Sequence, residues 1–272
     1  SPETPGLRRV QSPEEVSEVY AGVMREAATV DMVADLIGPN LRFHHGKVNS
    51  KLPGTATQVK FHQDFPFQPM SNDDIITCLL FLDDVTLENG PLEVVLGSHR
   101  GPLYSHWHGG RFTGAVAEEV TAQVAPKAVP CKGKAGSVCL MHSSLLHGSA
   151  PNLSDGPRTL YITTYYAEDA VELSPNALPS TLTHELVRGE VTLHQRQGEG
   201  PATGTAGKGF QNIELAVEGV ALPLEIKVVD RLQHAVVEAL EGGGDAREFL
   251  GGCLGGRGPI AVGAAVHVRA PG

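Results

Sequence analysis

The sequence predicts a mainly β domain, a barrel or sandwich with flanking helices. Short runs rich in β-branched and aromatic residues recur between turn residues from Leu41 to Ala167, and 32 glycines and 19 prolines in 272 residues supply many chain reversals. One such run, Pro91–Leu96, lies between Asn89-Gly90 and Gly97-Ser98, as expected of a strand inside an antiparallel sheet.

In chain order, Ser12-Pro13-Glu14-Glu15 reads as an N-cap, a proline at the first helical position and a capping-box glutamate. Val16, Val19, Tyr20 and Val23 follow at helical spacing. A second helical piece ends at Gly38-Pro39-Asn40. The strands expected next are Leu41–Asn49, Thr57–His62, Asp74–Leu82, Leu92–Leu96, Ser137–Met141 and Thr159–Ala167. Arg100 to Pro130 reads as a long irregular connection, of a kind that often covers a site. Beyond about Gln195 the character changes. Gly198 to Gly209 reads as a linker, so residues 1–196 form the main domain, with its core at 41–167, and 197–272 an appendage. Val229, Leu232, Val236 and Leu240 share one face of a helix there, suited to packing on the main domain or to forming a homodimer.

Length and composition narrow the function. A chain of this size buries its own core without a disulfide or structural metal. Lys and Arg total 21 against 31 Asp and Glu, and a net charge of -10 repels a phosphate backbone, so nucleic acid is not an expected partner. Cys78, Cys131, Cys139 and Cys253 form no CxxC pair and read as free thiols in a reducing compartment. Neither a membrane span nor the apolar core of a secretory signal in Ser1 to Val10 is visible, and the expected location is the cytoplasm.

The chemistry centres on Phe61-His62-Gln63-Asp64. In a strand, residues i and i+2 point to one face, so His62 and Asp64 can share one ion. Two histidines and one carboxylate on one face of a metal is the arrangement of Fe(II) oxygenases, and it leaves positions open. His147, 85 residues on, is the third ligand expected, in an apolar run after the strand Ser137–Met141. Taken alone, His147 reads at least as well as a core histidine satisfied by backbone. Arg158, 11 residues later at the start of the next strand, alters that balance, because a buried guanidinium calls for an anion such as a dicarboxylate.

His62-Gln63-Asp64, the segment Asp84 to Arg100, His147-Gly148-Ser149 and Arg158 together resemble the phytanoyl-CoA dioxygenase family over about Leu41 to Tyr166. The resemblance implies a double-stranded β-helix, the jelly roll or cupin-like barrel, with Fe(II) at one open end and 2-oxoglutarate as cosubstrate. His62, Asp64 and His147 match the metal ligands and catalytic centre; Arg158 matches the arginine that pairs with the distal carboxylate of 2-oxoglutarate, and Ser149 a position that assists it. Asn49 is similar to a cosubstrate-binding asparagine of the ectoine hydroxylase branch, and Thr77 stands at a hydroxyl position on the adjoining strand. The chain departs from the family in a short segment before the metal motif and in its tail.

The resemblance implies a dioxygenase that consumes O2 and 2-oxoglutarate, hydroxylates a small organic substrate and releases succinate and CO2. A carboxylate at Asp64, rather than a gap for halide, favours hydroxylation. Two alternatives use the same barrel: a metal-dependent hydrolase or isomerase, which leaves Arg158 unexplained, and a non-catalytic binding protein. Lys47 shares the face of Asn49 and reads either as solvated or as a contact for an anionic substrate; Lys127, Lys132 and Lys134 read as surface charge or as contacts for phosphate. His106-Trp107-His108 is expected to contact substrate or solvent rather than a second metal. Of His44 and His45, one is expected to face in and one out; His142 is expected to support the core.

Overall fold

The computed structural model describes residues 7–54, 57–192 and the pair Val220–Ala221. The chain opens with β1 (Leu7–Gln11), α1 (Pro13–Val16), α2 (Glu18–Met24), α3 (Ala27–Ile37), β2 (Leu41–Lys51), β3 (Val59–His62), β4 (Ile75–Phe81) and β5 (Leu92–Val94). It continues with β6 (Trp107–His108), β7 (Arg111–Phe112), α4 (Glu118–Val124), β8 (Val129–Cys131), β9 (Ser137–His142), β10 (His147–Ser149), β11 (Arg158–Ala167), β12 (Leu186–Arg188) and β13 (Val220–Ala221).

A seven-stranded sheet runs β1-β2-β11-β4-β9-β13, with β12 also on β2, and a four-stranded sheet runs β3-β10-β5-β8. All the pairings are antiparallel. Strand alternation sorts the side chains. Leu79, Phe81, Met141, Leu160 and Ile162 of the large sheet pack against Leu92, Val94 and Cys131 of the small one, so the two sheets enclose a common interior. The alternate residues Cys78, Ile76 and Tyr165 face outward onto Met24, Val30, Val33 and Ile37, which is how α2 and α3 cover the large sheet. Phe61, Val95 and Leu146 on the outside of the small sheet are covered by Val116 and Val124. This is the jelly roll with flanking helices.

Several local expectations are corrected. Ser12 adopts φ 47° and makes no cap bond; its Oγ donates to Pro179 O at 3.2 Å. Glu15 accepts from Thr181 N instead of closing a capping box. The helix breaks at Ser17, because tertiary contacts with 179–181 outweigh the local cap. The connection from Arg100 to Pro130 is not irregular: it holds the β6–β7 hairpin and α4. His44 and His45 do not divide between inside and outside. Both are buried, since the register shifts between Thr164 and Tyr165 opposite them, and their Nδ1 atoms lie 2.6 Å apart. Cys78, Cys131 and Cys139 are unpaired, and no helix among the described residues is long and apolar enough to cross a membrane. Residues 1–6, the Gly198 to Gly209 linker, the helix from Val229 to Leu240 with its dimer contact, and Cys253 lie outside the described residues.

Candidate metal and cosubstrate site

His62 ends β3 and His147 begins β10, and the two are Cα partners across the small sheet. Their rings face each other with centroids 4.1 Å apart. Asp64 is not a strand residue. It sits in the right-handed helical region at φ -75°, at the entry to a 3-10 turn over Phe65–Phe67, held by Asp64 N and Phe65 N donating to Ser143 O at 2.8 and 2.9 Å. The turn, rather than strand alternation, swings its carboxylate beneath both imidazoles: Oδ1 is 3.5 Å from His62 Nε2 and 3.7 Å from His147 Nε2. The three ligand atoms lie within 4.8 Å of one another, the one such group among the described residues.

The protonation states suit a divalent cation. Lys60 O and Leu145 O can only accept, so His62 and His147 each donate Nδ1–H, at 2.8 and 2.9 Å, and leave Nε2 bare for a metal. Burial, reinforced by His62, pulls His147 down to about 4, which keeps it neutral. Burial alone would raise Asp64, but His147, His62 and Lys47 hold it far below the usual carboxylate range. Thr77 Oγ1 donates to Asp64 Oδ2 at 3.4 Å and lies 3.5 Å from Thr164 Oγ1.

Gln63 was passed over in the sequence, yet it is fully buried and braces the turn. Its Nε2 donates to Ser144 O at 2.7 Å and Pro102 O at 3.2 Å, and its Oε1 accepts from Tyr104 N at 2.9 Å. His106 is buried beside it, packed on Phe67 and Phe112, while Trp107 is exposed. His108 Nε2 lies 3.0 Å from Ala115 O. The pair His106 and His108 forms no metal cluster.

Arg158 opens β11 and is buried. Its Nη2 donates to Gly90 O at 2.8 Å, whereas its Nε is buried with no partner. Its Cα partner on β2 is Lys51, which is also buried and donates from Nζ to Ser149 Oγ at 2.7 Å and to Ala150 O. Burial and the neighbouring Arg158 pull Lys51 down to about 7. Two adjacent cations, one with an orphaned N–H, form a cradle whose missing component is an anion. A dicarboxylate such as 2-oxoglutarate fits it. Lys51 is the member that sequence reasoning missed; only its register opposite Arg158 reveals it. Asn49, on the same face of β2, accepts at Oδ1 from Arg9 Nε at 2.9 Å.

The family model described as phytanoyl-CoA dioxygenase (PhyH) matches residues 4–160. This chain belongs to the phytanoyl-CoA dioxygenase family. It is 33% identical over 201 residues to a probable alpha-ketoglutarate-dependent hypophosphite dioxygenase of Stutzerimonas stutzeri, covering 72% of this chain and 70% of that one. It is 30% identical over 179 residues to the L-proline trans-4-hydroxylase of Streptomyces griseoviridis, covering 58% and 67%. Among solved structures, apo EctD from S. alaskensis superposes with a TM-score of 0.57 at 24% identity, covering 71% of this chain and 70% of that one, a likeness of fold. The chain is an Fe(II)- and 2-oxoglutarate-dependent dioxygenase.

Proposed function

We propose that this dioxygenase hydroxylates a small molecule. Iron would be held by His62, Asp64 and His147, and the distal carboxylate of 2-oxoglutarate by Arg158 with Lys51 and Ser149. The observation that carries the assignment is the pairing of one three-ligand metal cluster with a buried, unpartnered Arg158 Nε in the same barrel interior. When bound, iron and 2-oxoglutarate activate O2, with loss of CO2 and formation of succinate, to give an oxidant that replaces a substrate hydrogen by hydroxyl.

The chain's own part is positional. The Nδ1–H bonds to Lys60 O and Leu145 O fix both rings, and Thr77 fixes one oxygen of Asp64. Asn49, with its Oδ1 committed to Arg9, keeps its amide N–H groups for the cosubstrate. Phe67 packs on His62 with centroids 5.9 Å apart and on Phe112 at 5.1 Å, so aromatic rings shield the metal edge from water. The relatives named above act on compact compounds, which supports a small substrate here. Residues 1–196 would carry the activity, and the unpaired thiols suit a cytoplasmic setting.

Succinate release from 2-oxoglutarate under air tests this. It should require Fe(II), not be sustained by Zn(II), and fall at least about a hundred-fold in Asp64→Ala. Succinate formation that survives Asp64→Ala would remove the metal assignment.

A further inference from the structure

The wall of the barrel facing the metal ligands carries a second group of cations to which 2-oxoglutarate gives no task. Lys47 lies mid-way along β2, paired with Ile162 of β11 and Gln11 of β1. Cross-strand partners point to one face, and Ile162 is buried between the sheets with Leu79, Met141 and Val94, so Lys47 enters the same interior as the metal ligands. Burial pulls its ammonium below the usual lysine range, Asp64 opposes this and Arg9 adds to it, and Lys47 in turn adds to the field at Asp64 and His147. Among the described residues Lys47 Nζ makes no hydrogen bond or ion pair, and the one carboxylate acting on it is committed to the metal.

On the reading above, the distal carboxylate of 2-oxoglutarate is assigned to Arg158 and Lys51, and Lys51 lies four residues from Lys47, about 13 Å along an extended strand. Beside Lys47 on the same face is His45, whose cross-strand partner is Thr164. Glu172 Oε1 lies 2.9 Å from His44 Nε2, and the Nδ1 atoms of His44 and His45 lie 2.6 Å apart. Burial keeps His45 neutral, so its ring carries one donor and one acceptor nitrogen. The interior therefore offers an ammonium with no bonded partner next to one neutral imidazole.

We propose that the substrate is a small anion, a carboxylate or a phosphorus oxyanion, whose charged group is received by Lys47 with Arg9 beside it, while the neutral imidazole of His45 bonds a polar group of the same molecule. This rests on the reading of His62, Asp64 and His147 as the iron site.

The test is calorimetric titration of the anaerobic protein, loaded with Fe(II) and 2-oxoglutarate, with hypophosphite, phosphite, L-proline and acetate. Prolinamide and acetamide serve as counterparts that lack the carboxylate. At least one anion should bind in preference to the amides; Lys47→Gln should weaken it about ten-fold or more, and Lys47→Arg should recover part of the loss. Affinity for 2-oxoglutarate, read from the visible band of its iron chelate, should stay the same in both variants. Binding confined to the phosphorus anions or to the carboxylates decides between the two sources. The proposal is overturned if none of the four binds, if the amides bind as well, or if Lys47→Gln weakens 2-oxoglutarate instead. Absence of the chelate band in the unmodified protein would instead overturn the iron reading, and this inference with it.

Discussion

Lys51 and Arg158 stand side by side in the interior with no carboxylate in an ion pair to either, and this gives the proposed cosubstrate site a pH dependence of definite sign. Lys51 is drawn down to about 7 by burial and by Arg158, against the opposing pull of Glu93. Above that pH the free protein holds a neutral amine, so a dianionic ligand must recapture a proton on binding. Affinity for 2-oxoglutarate should therefore fall as pH rises above about 7, by up to about ten-fold per unit. In Lys51→Met the affinity should be lower throughout and the slope lost, which titration of the iron chelate at several pH values would show. A slope unchanged by the substitution would place the titrating group elsewhere. At this scale the sequence was legible where function demands a rare combination in order: His62, Asp64, His147 and Arg158 could be named from spacing and resemblance. Lys51 and Gln63 could not. A lysine at the end of a polar strand resembles solvated surface, and a glutamine between two ligands resembles a spacer, until register and turn show what each one touches.

Among the elements, strands were more legible than their surroundings. The six expected strands are all present, with bounds shifted by one or two residues. β1 was missed because its sequence, Leu-Arg-Arg-Val-Gln, has no apolar run and pairs only as an edge on β2. The capping box failed because Ser12 and Glu15 found partners about 167 residues away in sequence, which no local pattern encodes. Turn chemistry carried further than capping. Asn89-Gly90 was read as a turn, and Gly90 indeed has φ +75°, with Ala150 O only 2.5 Å from where a Cβ would sit. The Gly90 carbonyl also holds Arg158 Nη2. Gly90→Ala should thus cost about 1–3 kcal/mol in denaturant unfolding and weaken 2-oxoglutarate as well. Loss of stability with unchanged cosubstrate affinity would show that the turn does not aim the arginine.

For the whole molecule, an acidic chain of net charge -10 encloses an interior that holds Arg158, Lys51 and Lys47, with Asp64 the carboxylate acting on Lys47. The sign inside opposes the sign outside because the two surfaces have different tasks: repulsion keeps the exterior soluble, while the interior must hold anions in front of a metal. Composition reveals only the exterior, and the inversion becomes visible once two sheets close around a common core. Whether this interior holds iron and 2-oxoglutarate together is measured directly by anaerobic addition of both to the metal-free protein, with Arg158→Ala alongside. The unmodified protein should give a weak visible charge-transfer band, and the variant should require about ten-fold or more extra 2-oxoglutarate. Iron binding without the band, or a band equally easy to form in Arg158→Ala, would contradict the assignment.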